Sequence, residues 1–535
     1  MNILGIHCAL NQFNHDPGAA LISGGKLIAV CEEERFNRIK SSRAQFPYFS
    51  VQSVLKESRM NICDIDVLVT TGNTKKTILT KYIVQLFNHY FGYCPELHFV
   101  DHQDAHLASA FYYSNYSEAM CISYDGIGDG LSGKLAIGRG YDITPLEDLT
   151  VDQSLGHFYS AMTAFLGFRP LEDEYKVMGL ASYGQDGINM DHLIEFTDTS
   201  YRINREMFND ENPPISLDQP LYNKNLLANL GQPRLMGDPI EQRHKDIAYA
   251  TQKCLEKAII QLVERLHGYT NLSKLCIGGG VGLNCSANKV VRELPFIDHL
   301  FIQPASSDRG LPLGCALMEA MTTTDRVDIP NHVYFGPTYT DHDYISALEL
   351  AGLKYQRLDN PSLAGAQLLV EGKIIAWYQG RSEFGPRALG NRSILADPRH
   401  ASTRDAINAK IKFREDFRPF APAIPEELAQ SVFYMDDSSP YMTSTFGVRP
   451  NWITKLGAIT HVDGTARVQT VNIDVNSKFY NLISEFGKLT GVPVVLNTSF
   501  NARGEPIVET PANALATFYS VGLDALILGD YLVLK

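Results

Sequence analysis

The sequence lacks any long hydrophobic run. No stretch approaches the roughly 18 consecutive apolar residues of a membrane helix, so we expect no membrane span and no membrane partner. The first residues, MNILGIHC, show no basic segment followed by an apolar one, so we expect no signal peptide. These absences favour a cytoplasmic protein.

Paired cysteine motifs are also missing. The nine cysteines are spread from Cys8 to Cys315 without a CxxC pair. This pattern is typical of free thiols in a reducing cytoplasm, and it argues against a disulfide framework or a zinc knuckle. Because no cysteine follows Cys315, the last third is expected to be a separate module.

The chain has no excess of positive charge. It carries 47 basic and 60 acidic residues, for a net charge of -13. No global positive field exists to collect phosphates, so we expect no general nucleic-acid binding. With 44% hydrophobic and 20% charged residues the composition is that of a globular protein, and 535 residues allow about two to four domains.

What the sequence does contain is a histidine pair on a predicted helix. Residues 97–100 predict a buried strand, and residues 103–113 predict a helix with a small apolar face. His102 and His106 are four residues apart and therefore share one helical face. The pair is either structural, as HxxxH on an amphipathic helix often is, or a pair of metal ligands.

An aspartate follows this helix. Residues 118–124 predict a strand that leads Asp125 into the glycine-rich turn DGIGDG. Two imidazoles and a carboxylate suit a divalent metal, which polarises a carbonyl or phosphoryl oxygen. Asp308 lies in a loop before a helix predicted at residues 313–321, where it is either a fourth metal ligand or a helix cap.

A histidine precedes the first predicted hairpin. Residues 2–6 predict a strand, and residues 18–23 and 26–32 predict two more around a Gly-Gly turn. His15 lies in the loop between the first strand and this hairpin. It is either an ordinary surface histidine or a general base, because imidazole titrates near neutral pH.

Three glycines follow a short apolar strand in the stretch KLCIGGGVGLNCSANK. Glycine allows close approach of a ligand, and the helix predicted after Asn284 offers free N–H groups to an anion. The turn of Gly278, Gly279 and Gly280 therefore predicts an adenosine site. Lys176 is either a phosphate contact or a plain surface lysine.

The last third contains a basic segment. Residues 327–343 are rich in Pro, Gly and Asp and predict a domain boundary. Residues 381–418 hold nine basic and five acidic residues, and such clustering suits a bound phosphate or nucleotide. The alternative is a salt-bridged surface. The small residues of GPRALGNRS argue against that alternative. Residues 492–501 predict a strand whose end, VLNTSFN, is typical of a small-ligand mouth. Residues 525–534 predict one closing strand.

With these motifs the sequence resembles the O-carbamoyltransferases of the tobramycin, nodulation-factor and cephamycin type. The resemblance runs nearly end to end and is carried by GRSEFGPRALGNRSILADPR, KVMGLASYG, FRPFAPAI and VLNTSFNARGEPIV. It implies an α/β fold with an actin-like ATPase (TsaD-like, duplicated ribonuclease-H-like) domain over residues 1–342. A YrdC-like α/β domain over residues 343–535 would follow.

The resemblance also implies two reactions. The second domain would form carbamoyl-adenylate from carbamoyl phosphate and ATP. The first domain would transfer the carbamoyl group to a hydroxyl of a small acceptor beside a metal, which is iron in at least some family members. The expected cofactors are therefore Fe²⁺ and the co-substrates ATP and carbamoyl phosphate, with Mg²⁺ as a further option beside ATP.

Matching motifs assign these roles to positions of this sequence. The acceptor hydroxyl would be activated by His15, whose loop is longer than the family's short Gly-His-Asp-Ala stretch. The metal ligands would be His102, His106, Asp125 and Asp308. The nucleotide would be held by Gly278, Gly279, Gly280 and Asn284. In the second domain the phosphates would be bound by Arg387, Arg392, Lys410, Lys412, Arg414 and Arg418, close to Asn497, Thr498 and Ser499.

Three other functions remain open at the level of sequence. They are a tRNA threonylcarbamoyl-type transferase, a sugar-kinase-like phosphotransferase and a nucleotide-gated binding module. The acidic charge argues against a tRNA substrate and favours a cationic acceptor, such as an aminoglycoside or a saxitoxin-type guanidinium alkaloid. Both a monomer and a homo-oligomer are compatible with the sequence.

Overall fold

The structure is a computed structural model that describes residues 1–11, 14–209, 220–323 and 327–535. The chain divides into two compact units. Unit 1 comprises Met1–Glu33 and Ser41–Ile329, and unit 2 comprises Glu34–Lys40 and Pro330–Lys535. The short segment 34–40 thus packs with the last third of the chain, which the sequence does not predict. The assignment of activities to residues 1–342 and 343–535 stays a prediction.

The first sheet of unit 1 has the strand order β3-β2-β1-β4-β5. Its strands are β1 (Asn2–His7), β2 (Gly18–Ser23), β3 (Lys26–Glu32), β4 (Val67–Thr71) and β5 (Glu96–Val100). The first three strands pair antiparallel, whereas β4 pairs parallel to β1 and β5 pairs parallel to β4. Most side chains of these strands are buried, because helices cover the sheet.

The second sheet of unit 1 repeats this topology. Its strands are β6 (Glu118–Gly128), β7 (Leu131–Arg139), β8 (Asp142–Leu149), β11 (Lys274–Gly278) and β12 (His299–Ile302), separated in sequence by the small hairpin of β9 (Ile194–Phe196) and β10 (Tyr201–Ile203). The order is β12-β11-β6-β7-β8, again with an antiparallel meander and two parallel strands. Two sheets of one topology make unit 1 a duplicated ribonuclease-H-like fold, as predicted.

Two helices lie between these sheets. The helices of this part of the chain are α1 (Glu33–Asn37), α2 (Tyr48–Ser58), α3 (Lys76–Phe91), α4 (His102–Ser114), α5 (Leu155–Phe165), α6 (Glu174–Ala181), α7 (Lys224–Leu230), α8 (Gln242–Thr270), α9 (Cys285–Arg292) and α10 (Leu311–Thr323). Helix α10 packs on β1, β2 and β4, and α4 packs on β6, β7 and β11. The two helices touch at Gly314, where a Cβ atom would lie 1.9 Å from the carbonyl oxygen of Ala105.

Unit 2 is built on a mixed eight-stranded sheet of the order β13-β23-β22-β14-β15-β21-β16-β20. The strands of unit 2 are β13 (Gln356–Arg357), β14 (Ile375–Tyr378), β15 (Arg392–Ala396), β16 (Ala421–Pro425), β17 (Phe433–Tyr434), β18 (Phe446–Val448), β19 (Thr465–Ala466), β20 (Gln469–Val471), β21 (Val495–Ser499), β22 (Ala525–Leu528) and β23 (Tyr531–Leu534). Strands β17 to β19 form a separate three-stranded sheet.

Helices cover the large sheet of unit 2. They are α11 (Asp341–Leu350), α12 (Pro361–Val370), α13 (Ala401–Ile407), α14 (Ala429–Val432), α15 (Pro450–Ile453), α16 (Ser477–Thr490) and α17 (Pro511–Ser520). Along β14 the side chains alternate between two cores, with Ile375 and Trp377 in one and Ala376 and Tyr378 in the other. Both faces of the sheet are therefore buried, as in an α/β fold.

The predicted α/β class is confirmed, and two element boundaries are corrected. The strand predicted at residues 525–534 is a hairpin of β22 and β23, because Gly529 adopts a positive φ of 61° and turns the chain. The strand predicted to end at residue 124 continues to Gly128. Among the described residues, no helix has the length and apolar character needed to cross a membrane.

Candidate functional site

Four side chains of unit 1 converge on one point. Helix α4 contributes His102 and His106, strand β6 contributes Asp125, and the turn before α10 contributes Asp308. Their donor atoms all lie within 4.8 Å of one another. The structure therefore brings together the four predicted ligands. At the turn before α10 the N-cap position is occupied by Ser307, and Asp308 is the next residue.

The donor spacing fits a single cation. Both histidine Nε2 atoms lie 3.3 Å from Asp125 Oδ2, and they lie 3.5 and 3.6 Å from Asp308 Oδ1. An ion about 2.0–2.2 Å from each donor would place neighbouring donors roughly 3.0–3.5 Å apart. Two imidazoles and two carboxylates are also a donor set that divalent first-row metals accept. The residues thus fit a divalent metal by both chemistry and distance.

The backbone around α4 is arranged to hold these imidazoles. Asp101 caps the helix by accepting from two backbone N–H groups, and Asp129 accepts from the backbone N–H of His102 at 3.1 Å. Gly128 leaves room for the His102 ring, because a Cβ atom there would lie 2.2 Å from it. The glycine-rich turn after Asp125 therefore orients a histidine.

The three-glycine turn supports Asp125. The backbone N–H of Gly280 donates to Asp125 Oδ1 at 3.1 Å, which leaves Oδ2 toward the histidines. Gly279 has a φ of 85°, and a Cβ atom on Gly278 would lie 2.5 Å from the His106 carbonyl oxygen. Glycine at these positions is thus explained by close packing at the four-residue cluster, and the adenosine role stays a prediction.

Opposite charges also stabilise the four-residue cluster. Burial alone would lower the pKa of His106, but hydrogen bonds to Asp125 and Asp308 outweigh it and raise that pKa to about 9. Burial acts to raise the pKa of Asp125, yet its hydrogen bonds to both histidines hold it far below its usual range. A metal ion would take the place of these protons, so binding is coupled to proton release.

His15 is connected to the four-residue cluster by contacts of the adjacent residue Asp16. Its Nδ1 is 3.1 Å from Asp16 Oδ2, which also accepts from the Ser307 hydroxyl at 3.1 Å. Arg309 lies 2.7 Å from Asp16 Oδ1. Burial would lower the pKa of His15, but the charge and hydrogen bond of Asp16 raise it to about 9. Residues 12 and 13 of the long preceding loop lie outside the described part of the chain.

Sequence reasoning missed Asp16, Ser307, Arg309 and His7. His7 Nε2 lies 3.5 Å from Asp308 Oδ2, so it contacts the carboxylate oxygen that faces away from the histidine pair. The available signal was adjacency, since Asp16 follows His15 and both Ser307 and Arg309 flank Asp308. Adjacency alone, however, does not indicate that the two loops meet.

The predicted nucleotide residues of unit 1 have protein partners. Asn284 caps α9 by accepting from the Ala287 N–H, and its amide pairs with Gln252 at 2.9 Å. Lys176 lies 2.9 Å from Asp173 and 5.5 Å from the centre of the Phe168 ring. Their contacts to a nucleotide stay predictions.

In unit 2, Arg392 occupies the core rather than a surface. Its side chain is 0% exposed and lies 3.6 Å from the centre of the Tyr378 ring. Nη1 donates to the carbonyl oxygens of Gln379, Gly380 and Asn391, and Nη2 lies 3.6 Å from Glu509. This burial favours a structural role for Arg392 over the predicted phosphate contact.

Lys412 holds the end of β21. Its Nζ donates to the Ser499 carbonyl oxygen at 2.6 Å and to Asn501 Oδ1 at 2.7 Å. Burial, followed by the charges of Arg414 and Arg418, lowers the pKa of Lys412 well below its usual value. Lys412 is therefore close enough to Arg414 and Arg418 to feel their charges.

The remaining predicted residues of unit 2 differ in exposure. Lys410 is exposed, while Arg387, Arg414, Arg418, Thr498 and Ser499 are half-buried. Asn497 is buried, and its amide nitrogen donates to Gln469 at 2.8 Å. Apart from Arg392, Lys412 and Asn497, the predicted residues of unit 2 are therefore at least partly accessible to solvent.

Two family models match this chain. The model described as "Carbamoyltransferase N-terminus" matches residues 2–86 and 69–317, and "Carbamoyltransferase C-terminus" matches residues 366–535. The first covers the two repeated sheets, and the second covers most of unit 2. The structure of full-length HypF overlaps with a TM-score of 0.38 at 12% identity, over 61% of this chain and 56% of that chain, which is too low to support an inference.

Named relatives agree with the models. The nodulation protein NolNO of Sinorhizobium fredii is 38% identical over 98% of this chain and 80% of its own length. The 3'-hydroxymethylcephem-O-carbamoyltransferase of Amycolatopsis lactamdurans is 35% identical over 67% of this chain and 64% of its own length. Since the two models together match most of the chain and the Amycolatopsis relative is named for the same activity, the chain belongs to the carbamoyltransferase family and is an enzyme of carbamoyl transfer.

Proposed function

We propose that this enzyme is an ATP-dependent O-carbamoyltransferase with two reactions. In unit 2, water releases carbamate and phosphate from carbamoyl phosphate, and carbamate attacks the α-phosphorus of ATP. Carbamoyl-adenylate forms and pyrophosphate leaves. In unit 1, an acceptor hydroxyl attacks the carbamoyl carbon of this adenylate. The bond between that carbon and the phosphate oxygen breaks, AMP leaves, and the acceptor becomes a carbamate ester.

The observation that carries this proposal is the four-residue cluster of unit 1. His102, His106, Asp125 and Asp308 would hold a divalent metal, for which Fe²⁺ is the expected ion. Such a metal supplies positive charge beside an oxygen that becomes negative during carbamoyl transfer. A neutral hydroxyl is a weak nucleophile. Its attack therefore requires an activated carbamoyl group and a site that stabilises the negative charge formed.

His15 is proposed to take the proton of the acceptor hydroxyl. Only the neutral imidazole can do so, whereas its raised pKa keeps it protonated at neutral pH in the protein without a metal. The charge of Asp308 is one cause of that rise, and a cation at the cluster would offset it. Asp16 would orient the imidazole through the bond to Nδ1.

The acceptor is proposed to be a small hydroxylated natural product. The cephem enzyme from Amycolatopsis is named for such a substrate. The net charge of -13 favours a cationic acceptor, such as an aminoglycoside or a guanidinium alkaloid of the saxitoxin type. We propose neither a nucleic-acid nor a membrane partner and place the reaction in the cytoplasm.

The proposal is tested by an acceptor screen. The purified enzyme is incubated with carbamoyl phosphate, ATP, Fe²⁺, Mg²⁺ and a panel of hydroxylated cationic and neutral compounds. The expected product gains the mass of one carbamoyl group, with AMP and pyrophosphate released. Release of ADP without carbamoyl phosphate would indicate a phosphotransferase, and turnover of threonylcarbamoyl-adenylate alone would indicate the tRNA-type reaction.

A further inference from the structure

The segment 34–40 belongs to unit 2 although the chain on both sides of it belongs to unit 1. Arg35 and Arg38 lie in and just after helix α1 and are three residues apart. The side chain of Arg35 is 3% exposed, and that of Arg38 is 23% exposed. Two arginines from the first tenth of the chain are thus built into the packing of its last third.

Each of the two arginines donates hydrogen bonds to a different loop of unit 2. Arg35 Nη2 donates to the carbonyl oxygen of Gly385 at 2.6 Å and to that of Glu383 at 3.4 Å. Arg38 Nη1 donates to the carbonyl oxygen of Ile507 at 2.6 Å, and Nη2 donates to that of Pro506 at 2.8 Å. Arg38 thus uses both terminal nitrogens of its guanidinium, and Arg35 uses Nη2 for both of its acceptors. The planar guanidinium fixes the directions of these N–H groups, whereas a lysine offers a single point charge.

The first of these loops, residues 383–392, is ordered by Glu383. Its Oε1 accepts from the backbone N–H groups of Leu389 and Asn391 at 2.7 Å and from that of Arg392 at 3.1 Å. Arg387, a predicted phosphate contact, lies inside this loop. The position of Arg387 therefore depends on where the Glu383 end of the loop is held.

The second loop, residues 499–509, continues from β21. Asn501 receives a hydrogen bond from Lys412 and donates to the Glu505 carbonyl oxygen at 2.6 Å. Glu509, at the other end, accepts from the Ser382 hydroxyl at 2.7 Å. The second loop thus links Lys412 to Ser382, the residue just before the first loop.

We propose that Arg35 and Arg38 are positioning residues for the carbamoyl-phosphate and ATP site of unit 2. Their guanidinium groups set the two loops at a fixed separation, so the site is complete only with residues 34–40. This inference rests on the proposed function, because it assumes that unit 2 forms the adenylate. Arg35 is buried and contacts backbone carbonyl groups of the first loop, so its role is to hold that loop.

The test uses the full-length enzyme and carbamoyl-phosphate-dependent exchange of pyrophosphate into ATP. The variants are R35K and R38K, which keep the charge but lose the fork, and R38A. The matched control is R139K, an exposed arginine of β7 that pairs with Glu118. We expect R35K and R38K to lower kcat/KM for carbamoyl phosphate by about tenfold or more, because misplacement of a reacting group by ~1 Å can cost ~100-fold.

Three readouts separate positioning from general loss of structure. The thermal midpoint and the metal content of R38K should match those of the wild-type enzyme, and guanidinium ions should partly restore exchange to R38A. Exchange by R35K and R38K within twofold of wild type would overturn the inference, as would loss of activity only in parallel with unfolding. Absence of exchange in the wild-type enzyme would instead refute the proposed function.

Discussion

At the scale of single residues, the proposed metal site at the four-residue cluster gives the most specific prediction. Replacing His106 removes one of four donors and the group that is fully buried at the centre of the cluster. We expect H106A to bind Fe²⁺ at least ~100-fold more weakly, since even the loss of outer-shell partners costs 10- to 100-fold. Metal content after dialysis measures this, with H299A, an exposed histidine of β12, as the control.

Retention of one metal ion per chain by H106A would contradict the assignment of the ligands. H299A, in contrast, is expected to retain one metal ion per chain, because His299 lies on β12 at the edge of the second sheet.

His15 supplies a prediction about pH. In the metal-free protein its pKa is raised to about 9, so its proton stabilises the folded state fully below the ordinary pKa of ~6.5 and ceases to do so as the pH rises through 9. Because Asp16 is the main group that raises the pKa, D16N should lower the midpoint of the His15 imidazole. An NMR titration of the two proteins measures both midpoints. An unchanged midpoint in D16N would show that Asp16 does not hold this proton.

Arg392 carries a prediction about stability. R392A would remove three hydrogen bonds to carbonyl groups and leave Glu509 buried beside an empty space. Breaking a buried ion pair on one side costs about 3–5 kcal/mol, so we expect a clear fall in the free energy of unfolding. Denaturant titration measures it, with R404A, a more exposed arginine of α13, as the control. A variant of wild-type stability that lacks pyrophosphate exchange would instead support a phosphate contact.

At the scale of elements, the glycine-rich turn after Asp125 is the point of closest packing. A Cβ atom on Gly128 would lie 2.2 Å from the His102 ring, which cannot move far between α4 and β6. G128A should therefore weaken metal binding by about tenfold or more while the fold persists. Metal titration measures the affinity. The control is G268A, because nothing lies within 4 Å of a Cβ atom at that helical position.

Elements also show where sequence reasoning succeeds. Helix α4 was predicted because its apolar positions follow the helical period, and the same period puts His102 and His106 on one face. The hairpin of β2 and β3 was predicted from alternation around Gly24 and Gly25. Local periodicity and turn chemistry carry such information within a dozen residues, whereas the chain reversal at Gly529 was missed because one glycine in an apolar run is a weak signal.

Contacts between distant parts of the chain could not be predicted in this way. Asp16 and Arg309 meet although they lie almost 300 positions apart, and nothing local indicates it. The packing of residues 34–40 with unit 2 is a second example. A pattern of charges in the sequence likewise does not show how deeply a side chain is buried. The sequence therefore does not distinguish Arg392 from the half-buried arginines of the same basic segment.

At the scale of the whole molecule, the two units divide the proposed chemistry. Unit 1 holds the four-residue cluster with His15, and unit 2 holds the basic segment with its two supported loops. Membership in the carbamoyltransferase family and the duplicated ribonuclease-H-like sheets were both expected from sequence motifs. The four side chains of the cluster were also named from the sequence, but only the fold shows that they lie together, and their role as metal ligands stays a prediction.

The most direct test of this account measures both reactions in one enzyme. Carbamoyl-phosphate-dependent pyrophosphate exchange and carbamoyl transfer to an accepted hydroxyl compound are followed side by side in wild type and in H106A. The account predicts that H106A loses transfer while exchange stays within about twofold of wild type, because the cluster serves only the transfer step. Loss of both reactions together, or normal transfer by a metal-free H106A enzyme, would contradict it.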